Sequence, residues 1–421
     1  MQTSLSTPFL AVLGLAFAMV AVLAFRAMPR AGFVAWTAVL FFVPVWIGVQ
    51  IGFFWAGITL VTLVAIVANL HQFRWMPADT LVVLFVAVSC GAFALGRAGL
   101  SATVILLLEW LVPYIWGRLV LTRLPAGFLA STLGAAAVVA AVLALLEFAT
   151  GTNVFVALPA LGPSYEVWGT LQYRGGLLRA EGAFGHSIAL GASLALSTAF
   201  VLATRWRTLA KVVALAVIAA AIVVTFSRIA LICLVITVGL SLVFQRSLSR
   251  SGRLAVIATS GIAAFIAVPL LSDVFLDAGS EASGSALYRA DLFALVGQLN
   301  WLGAAIDWNQ LADGVYLANY ANSVDNALLV IALRFGIIPT LLLITVLLLA
   351  VVSLFLPGRA NTATIAVVAQ IPALFSVALI TQYGMFLWFV GGLAVALASR
   401  RRDGDSGIAS ALGNRELLAR R

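Results

Sequence analysis

Residues Gly127–Ala149 read GFLASTLGAAAVVAAVLALLEFA, and this stretch decides the fold. It carries one charged side chain, Glu147, close to its end. A bilayer's hydrocarbon core is about 30 Å thick, a distance that roughly 20 helical residues cross. Nothing in that core can hydrogen-bond a bare peptide group, so the chain must satisfy its own backbone as helix. Runs of similar length recur outward from it. They lie near 8–25, 31–47, 54–70, 79–95 and 100–117 on one side. On the other they lie near 185–203, 209–225, 229–245, 254–272, 326–356, 362–380 and 385–399. The expectation is an all-α, polytopic integral membrane protein of about 12–13 transmembrane helices. The 421 residues are 63% hydrophobic and 9% charged, a balance that excludes an ordinary water-soluble globule. Residues 1–399 read as one transmembrane domain, and 400–421 as a charged, disordered cytoplasmic tail.

Basic residues set the orientation. Most fall in one set of connections, including Arg26, Arg74, Arg118, Arg123, Arg205, Lys211, Arg253 and Arg400, which marks that side, and the C-terminus, as cytoplasmic. Arg97, Arg174, Arg179, Arg228, Arg289 and Arg334 fall to the other side. The net charge of +9 therefore expresses topology and attraction to anionic lipid, and is no argument for nucleic acid binding. The first residues lack a basic n-region, so the first span is expected to be retained. Cys90 and Cys233 sit inside apolar runs and read as small buried residues. Two histidines, far apart, give no metal site, and no cofactor is implied.

Polar residues concentrate in two long outward loops, about 150–185 and 272–325. Loops of this length are usually functional or disordered. Trp168, Tyr173, Tyr288, Trp301 and Tyr316 are aromatic groups suited either to the headgroup zone or to stacking on sugar rings. Arginines beside carboxylates such as Glu181, Asp291 and Asp325 suit an anionic phosphate joined to something rich in hydroxyls.

Four motifs stand at the loop edges. Arg179-Ala-Glu181-Gly-Ala-Phe-Gly-His186 opens a span, and an arginine beside a helix N-terminus is either an anion site or a side chain snorkelling from a Gly-rich turn. Thr225-Phe-Ser-Arg228 joins two spans with almost no loop, so Arg228 reaches either the headgroups or a protein cavity. Tyr288-Arg289-Ala-Asp291, followed by Asn300-Trp-Leu-Gly303, reads as a short amphipathic helix and a turn, with Arg289 either on a phosphate or in a surface ion pair. Ser323-Val-Asp325-Asn326 leads to Arg334-Phe-Gly336-Ile-Ile-Pro339. Asp325 or Ser323 reads as the N-cap of the next helix, Asp325 alternatively as a general base, and Gly336 with Pro339 predicts a break in the long span. Glu109 lies inside the fifth span with no partner identifiable from sequence, and Glu147 sits near a helix end.

In this order the motifs resemble the O-antigen ligase and Wzy-type polysaccharide polymerase superfamily, over roughly residues 120–395. The resemblance implies an all-helical glycosyltransferase of the GT-C type in the bacterial cytoplasmic (inner) membrane. Its donor would be a glycan on undecaprenyl diphosphate. Arg179, Arg228 and Arg289 would hold the diphosphate, with Tyr288, Glu181, His186 and Asn326 also in the substrate site. A flippase and a chain-length regulator would be its partners. In the ligase branch a histidine precedes the asparagine of the last motif, and here Asp325 stands in that place. This departure favours polymerisation of repeat units over ligation, with Asp325 as base and no metal required. A lipid or oligosaccharide transporter is the competing class; an internal repeat or paired broken helices would favour it.

Overall fold

The computed structural model describes residues 7–158, 163–245, 248–277, 292–305, 308–311, 314–317 and 324–419. Helices dominate: α1 Thr7–Ala27, α2 Pro29–Phe42, α3 Gly57–Ala68, α4 Pro77–Ala94, α5 Leu100–Ile105, α6 Val112–Leu119 and α7 Ala126–Thr150 form the first half. After the short α8 (Pro163–Trp168) come α9 Ser187–Ala203, α10 Thr208–Val224, α11 Arg228–Phe244 and α12 Arg250–Asp277. The last group is α13 Ala327–Phe335, α14 Ile337–Phe355, α15 Thr362–Ala369, α16 Ile371–Leu374 and α17 Thr381–Ala419. Among the described residues five helical segments are long and apolar enough to cross a membrane: Pro77–Ala94, Leu100–Thr122, Ala126–Thr150, Ile337–Phe355 and Thr381–Arg400. Shorter apolar helical segments among the described residues are Leu13–Ala27, Pro29–Phe42, Gly57–Ala68, Ser187–Ala203, Thr208–Val224, Arg228–Phe244 and Thr362–Leu374. The chain is thus an all-α protein of membrane-spanning type.

Its strands, among the described residues, are three antiparallel hairpins: Gly48–Ile51 with Phe53–Ala56, Tyr173–Arg174 with Leu177–Leu178, and Trp308–Leu311 with Gly314–Leu317. The first corrects the expected span near 54–70. Phe53, Phe54 and Trp55 are as apolar as a span but favour strand, and Gly52, at φ +71°, turns the chain back on Gly48–Ile51. The segment 100–122 is also less regular than a plain span. It passes from α5 through a π-helical stretch, Leu106–Leu111, into α6.

Helix α9 is the hub. Nearly every residue from Ser187 to Leu202 is buried, because Ala, Gly and Ser let neighbours approach closely. A Cβ on Gly191 would lie 2.7 Å from that of Ala230 in α11. Helices α6 and α17 cross in the same way. A Cβ on Gly117 would collide with Phe389 O, and one on Gly392 with Tyr114 O. Phe85, Trp110 and Trp388 stack nearly parallel beside this crossing, with ring centroids 5.8–6.3 Å apart.

At the end carrying Arg74 and Arg118, Asp79 is 2% exposed and fully engaged. Its Oδ1 accepts from Tyr114 Oη (2.7 Å) and Arg118 Nε (2.8 Å), and its Oδ2 from Arg118 Nη2 (3.0 Å) and Met76 N (2.8 Å). A buried carboxylate tolerates such a place only with its lone pairs filled in this way.

The long span expected at 326–356 is broken at Gly336, as the sequence suggests. Gly336 has φ +99°, while Pro339 sits harmlessly in the first turn of α14. The Asn300–Ala305 segment pairs with the break: Gly303 N donates to Phe335 O, Ala305 N to Leu333 O, Ile337 N to Asn300 O and Ile338 N to Trp301 O. A second break was not foreseen. The run at 362–380 divides at Gln370, before Pro372, and residues 375–380 are not helical. The tail read as disordered continues α17 as far as Ala419.

Candidate functional site

The Arg179–His186 motif is folded into a buried polar knot where the ends of α7 and α10 meet the starts of α9 and α17. Glu147, in the last turn of α7, anchors it. Its Oε1 accepts from Glu181 N (3.0 Å) and Asn153 Nδ2 (3.0 Å), and its Oε2 accepts from Gly182 N (2.9 Å). Gln172 ties the other side. Its N donates to Glu181 Oε1 (2.9 Å), and its Oε1 accepts from Ser187 Oγ (3.2 Å) and Arg179 Nη1 (3.4 Å).

Two arginines serve the C-terminus of α10, where carbonyls lack helical partners and carry the negative end of the dipole. Arg179 Nε donates to Thr225 O (3.0 Å) and Arg174 Nη1 to Phe226 O (3.0 Å), while Ala180 N donates to Val224 O (3.1 Å). Arg179, expected on a diphosphate, is 8% exposed and spends these donors inside the protein. Arg174, which sequence reasoning assigned no role, shares its work.

Glu181 is fully buried, and among the described residues its Oε2 has no hydrogen-bond partner. Burial pushes its carboxyl up to about 8, with the nearby Glu147 adding to the rise and the Gln172 N–H bond and Arg179 opposing it. Glu181 is therefore mainly protonated at neutral pH. His186, one residue before α9, moves the other way. Burial first, then Arg179, lowers it to about 4. Its Nδ1 accepts from Ile188 N (3.2 Å), so the neutral ring carries its proton on Nε2. Its ring packs against Trp168 in a T-shaped arrangement, with 6.1 Å between centroids and 75° between planes. Gly185, at φ +62°, fits because a Cβ there would lie 2.6 Å from Trp168 O.

Arg228 follows within the same turn. Phe226, at φ +48°, reverses the chain, Ser227 Oγ caps α11 by accepting from Ala230 N (3.3 Å), and Arg228 is exposed in the first turn. Among the described residues this is the motif arginine with the most open surface: a cation beside the N–H groups of a helix N-terminus.

Asn326, not Asp325, caps the last motif's helix: its Oδ1 accepts from Leu329 N (2.9 Å). Asp325 is half-buried just before it. The two motifs are linked through residues 377–382. Ala327 N donates to Val377 O (3.1 Å), and Gln382 Nε2 donates to Ala183 O (3.2 Å) and Val43 O (2.8 Å). Arg289 and Tyr288 lie outside the described residues, as does Asp291. Glu109, unpartnered in the sequence reading, lies within electrostatic range of Arg334, and the two attract each other.

Sequence reasoning passed over Gln172, Asn153 and Gln382, and gave Glu147 little weight. One signal was present for Glu147: a carboxylate in a helix's last turn opposes the dipole and needs donors of its own.

What fold and site define is a class, an all-helical protein with membrane-spanning helices and a buried polar knot where several helix ends meet. No protein-family description, no curated protein and no solved structure matches the chain.

Proposed function

We propose that this chain is a membrane glycosyltransferase that polymerises undecaprenyl-diphosphate-linked oligosaccharide repeats on the outer face of the bacterial cytoplasmic membrane. Its C-terminus would lie inside, and a flippase and a chain-length regulator would work beside it. The observation that carries the reading is the hydrogen-bonded continuity of three motifs. Arg179–His186 holds Thr225–Arg228 through Arg179 and Ala180, and reaches the Asp325–Asn326 helix start through Gln382 and the residues before it. An acceptor sugar hydroxyl attacks the anomeric carbon of the donor, and the bond to the diphosphate oxygen breaks. The exposed Arg228 and the α11 N-terminus stabilise the charge gathering on that oxygen. Asp325 takes the hydroxyl proton. Attack opposite the leaving group inverts the anomeric centre. His186, as a neutral Nε2–H donor, and the protonated Glu181 keep the site free of further charge.

The test is elongation of the purified lipid-linked oligosaccharide by wild type, Arg228→Ala and Asp325→Asn. A ladder from wild type, lost in both variants, supports the reading; a product of retained configuration, or no ladder, sinks it. Ligation of the glycan to another acceptor is the same chemistry with a different nucleophile. The two adjacent broken spans, at Gly336 and Gln370, favour a transporter as second reading, since broken helices line many transport sites. Translocation in liposomes without elongation would establish it.

A further inference from the structure

At the opposite end from the knot, the chain keeps its single lysine. Among 24 basic residues only Lys211 is not arginine. It is also 7% exposed, in the first turn of α10. A strongly hydrated ammonium is a costly group to bury unless something there needs it. Among the described residues its hydrogen bond is to Leu202 O (2.9 Å), at the C-terminal end of α9. An ammonium has three donors, so this leaves two.

Lys211 lines a cavity of about 340 Å³ between the α9–α10 connection and the start of α12. Thr204, Arg205, Thr208 and Ser249 supply its other polar side chains, and Trp206 part of its wall. Among the described residues no carboxylate lines it. Two cations and three hydroxyls around one volume have the chemistry of a phosphate site. The apolar surroundings point the same way, because Leu209 and Leu254 stand 74% and 65% exposed on the two helices that start at the cavity.

We infer that this cavity binds a phosphate group, with Lys211 and Arg205 as its cations and Thr208 and Ser249 as hydroxyl partners. The group arrives either on an anionic phospholipid, whose chains cover Leu209 and Leu254, or as a soluble phosphate. The inference does not depend on the proposed glycosyltransferase activity.

The experiment is native mass spectrometry of delipidated full-length protein titrated with phosphatidylglycerol, with tail-matched diacylglycerol, and with inorganic phosphate. Wild type, Lys211→Met and Arg205→Gln are compared. Wild type is expected to bind phosphatidylglycerol at least about tenfold more tightly than diacylglycerol, and both variants to lose most of that preference. Binding of inorganic phosphate that displaces no lipid, and is lost in the variants, assigns the site to the soluble source. Lys211 acting only as a cap on α9 predicts a less stable Lys211→Met with unchanged selectivity, and that result overturns the proposal. Arg205 is exposed, so Arg205→Gln decides the matter if Lys211→Met does not fold. Wild-type selectivity in that variant likewise overturns it.

Discussion

Replacing Glu147 by Gln tests whether one carboxylate holds the first loop in place. The side chain accepts three hydrogen bonds, two from the backbone of Glu181 and Gly182 and one from Asn153. Gln keeps one oxygen, enough for the pair at Oε1, but places an amide NH2 against Gly182 N–H. That leaves a buried donor unsatisfied, a cost of about 1–3 kcal/mol. Taking about 2 kcal/mol, local opening becomes roughly 30-fold more frequent, since 1.4 kcal/mol is tenfold. Glu147→Ala removes all three acceptor contacts and opens the segment further. Hydrogen exchange in detergent, followed over Gln172–Leu190, reads this directly. The expected result is faster exchange at Glu181 and Gly182, graded Ala above Gln, with the centre of α9 unchanged. Unchanged protection at Glu181 and Gly182 in Glu147→Ala refutes the anchor. Loss of protection spread evenly through α9 refutes its local character.

The loop should also respond to pH. Glu181 is raised from 4.5 to about 8, so the stability it contributes is complete below pH 4.5 and is lost as pH rises through 8. His186 is lowered from 6.5 to about 4, so its contribution is present above 6.5 and lost as pH falls towards 4. The two slopes oppose each other between 4.5 and 6.5, and protection should fall between pH 6.5 and 8; Glu181→Gln should flatten that fall, and an unchanged slope in the variant rules out Glu181 as its source. Arg118→Met strands Asp79 in a buried site and should cost about 3–5 kcal/mol, much of it recovered in Asp79→Asn/Arg118→Met; thermal unfolding compares them, and no recovery contradicts the pairwise account. Gly185→Ala imposes about 1–2 kcal/mol of left-handed strain before its contact with Trp168 O is counted, and should lower the melting temperature where Gly127→Ala, with open space around it, does not. Arg228→Ala should leave melting within about 0.5 kcal/mol of wild type, since the side chain is exposed, while lowering elongation about a hundredfold; a large fall in stability would mark it as structural.

The helices were legible because hydrocarbon leaves the backbone no alternative, so length and hydropathy suffice for stretches such as Ala126–Thr150. The break at Gly336 was legible for a comparable reason, as a glycine beside a proline in a long span. The Gly48–Ala56 hairpin was not, because Phe53-Phe54-Trp55 satisfies a hydropathy count whether it is strand or helix. The motif order picked out Arg179, Glu181 and His186, which the fold does bring together. It did not show that Arg179 would be turned inward to carbonyls of α10, because the C-terminus of one helix and a loop from elsewhere meet only in three dimensions. Glu147 and Gln172 were hidden for the same reason, since their partners lie 34 and 9 residues away. Asp325 and Asn326 are adjacent acceptors, and only the bond to Leu329 N tells which one caps.

The clamp at Gly336 bears on how the chain is assembled as it is made. The apolar run from Ala327 to Phe355 is continuous in sequence, yet α13 has nine residues, a rise of about 14 Å, too short to cross a bilayer alone. Each partner that bends the run, Asn300 to Ala305 and the Arg97 carbonyl that receives Ala304 N, is synthesised before it. The elbow can therefore close as soon as α14 leaves the ribosome, without waiting for α17. The knot at the Arg179 motif cannot, because Gln382 is synthesised 199 residues after its partner Ala183. The order of translation thus separates the molecule into a part that sets early and a part that is sealed later.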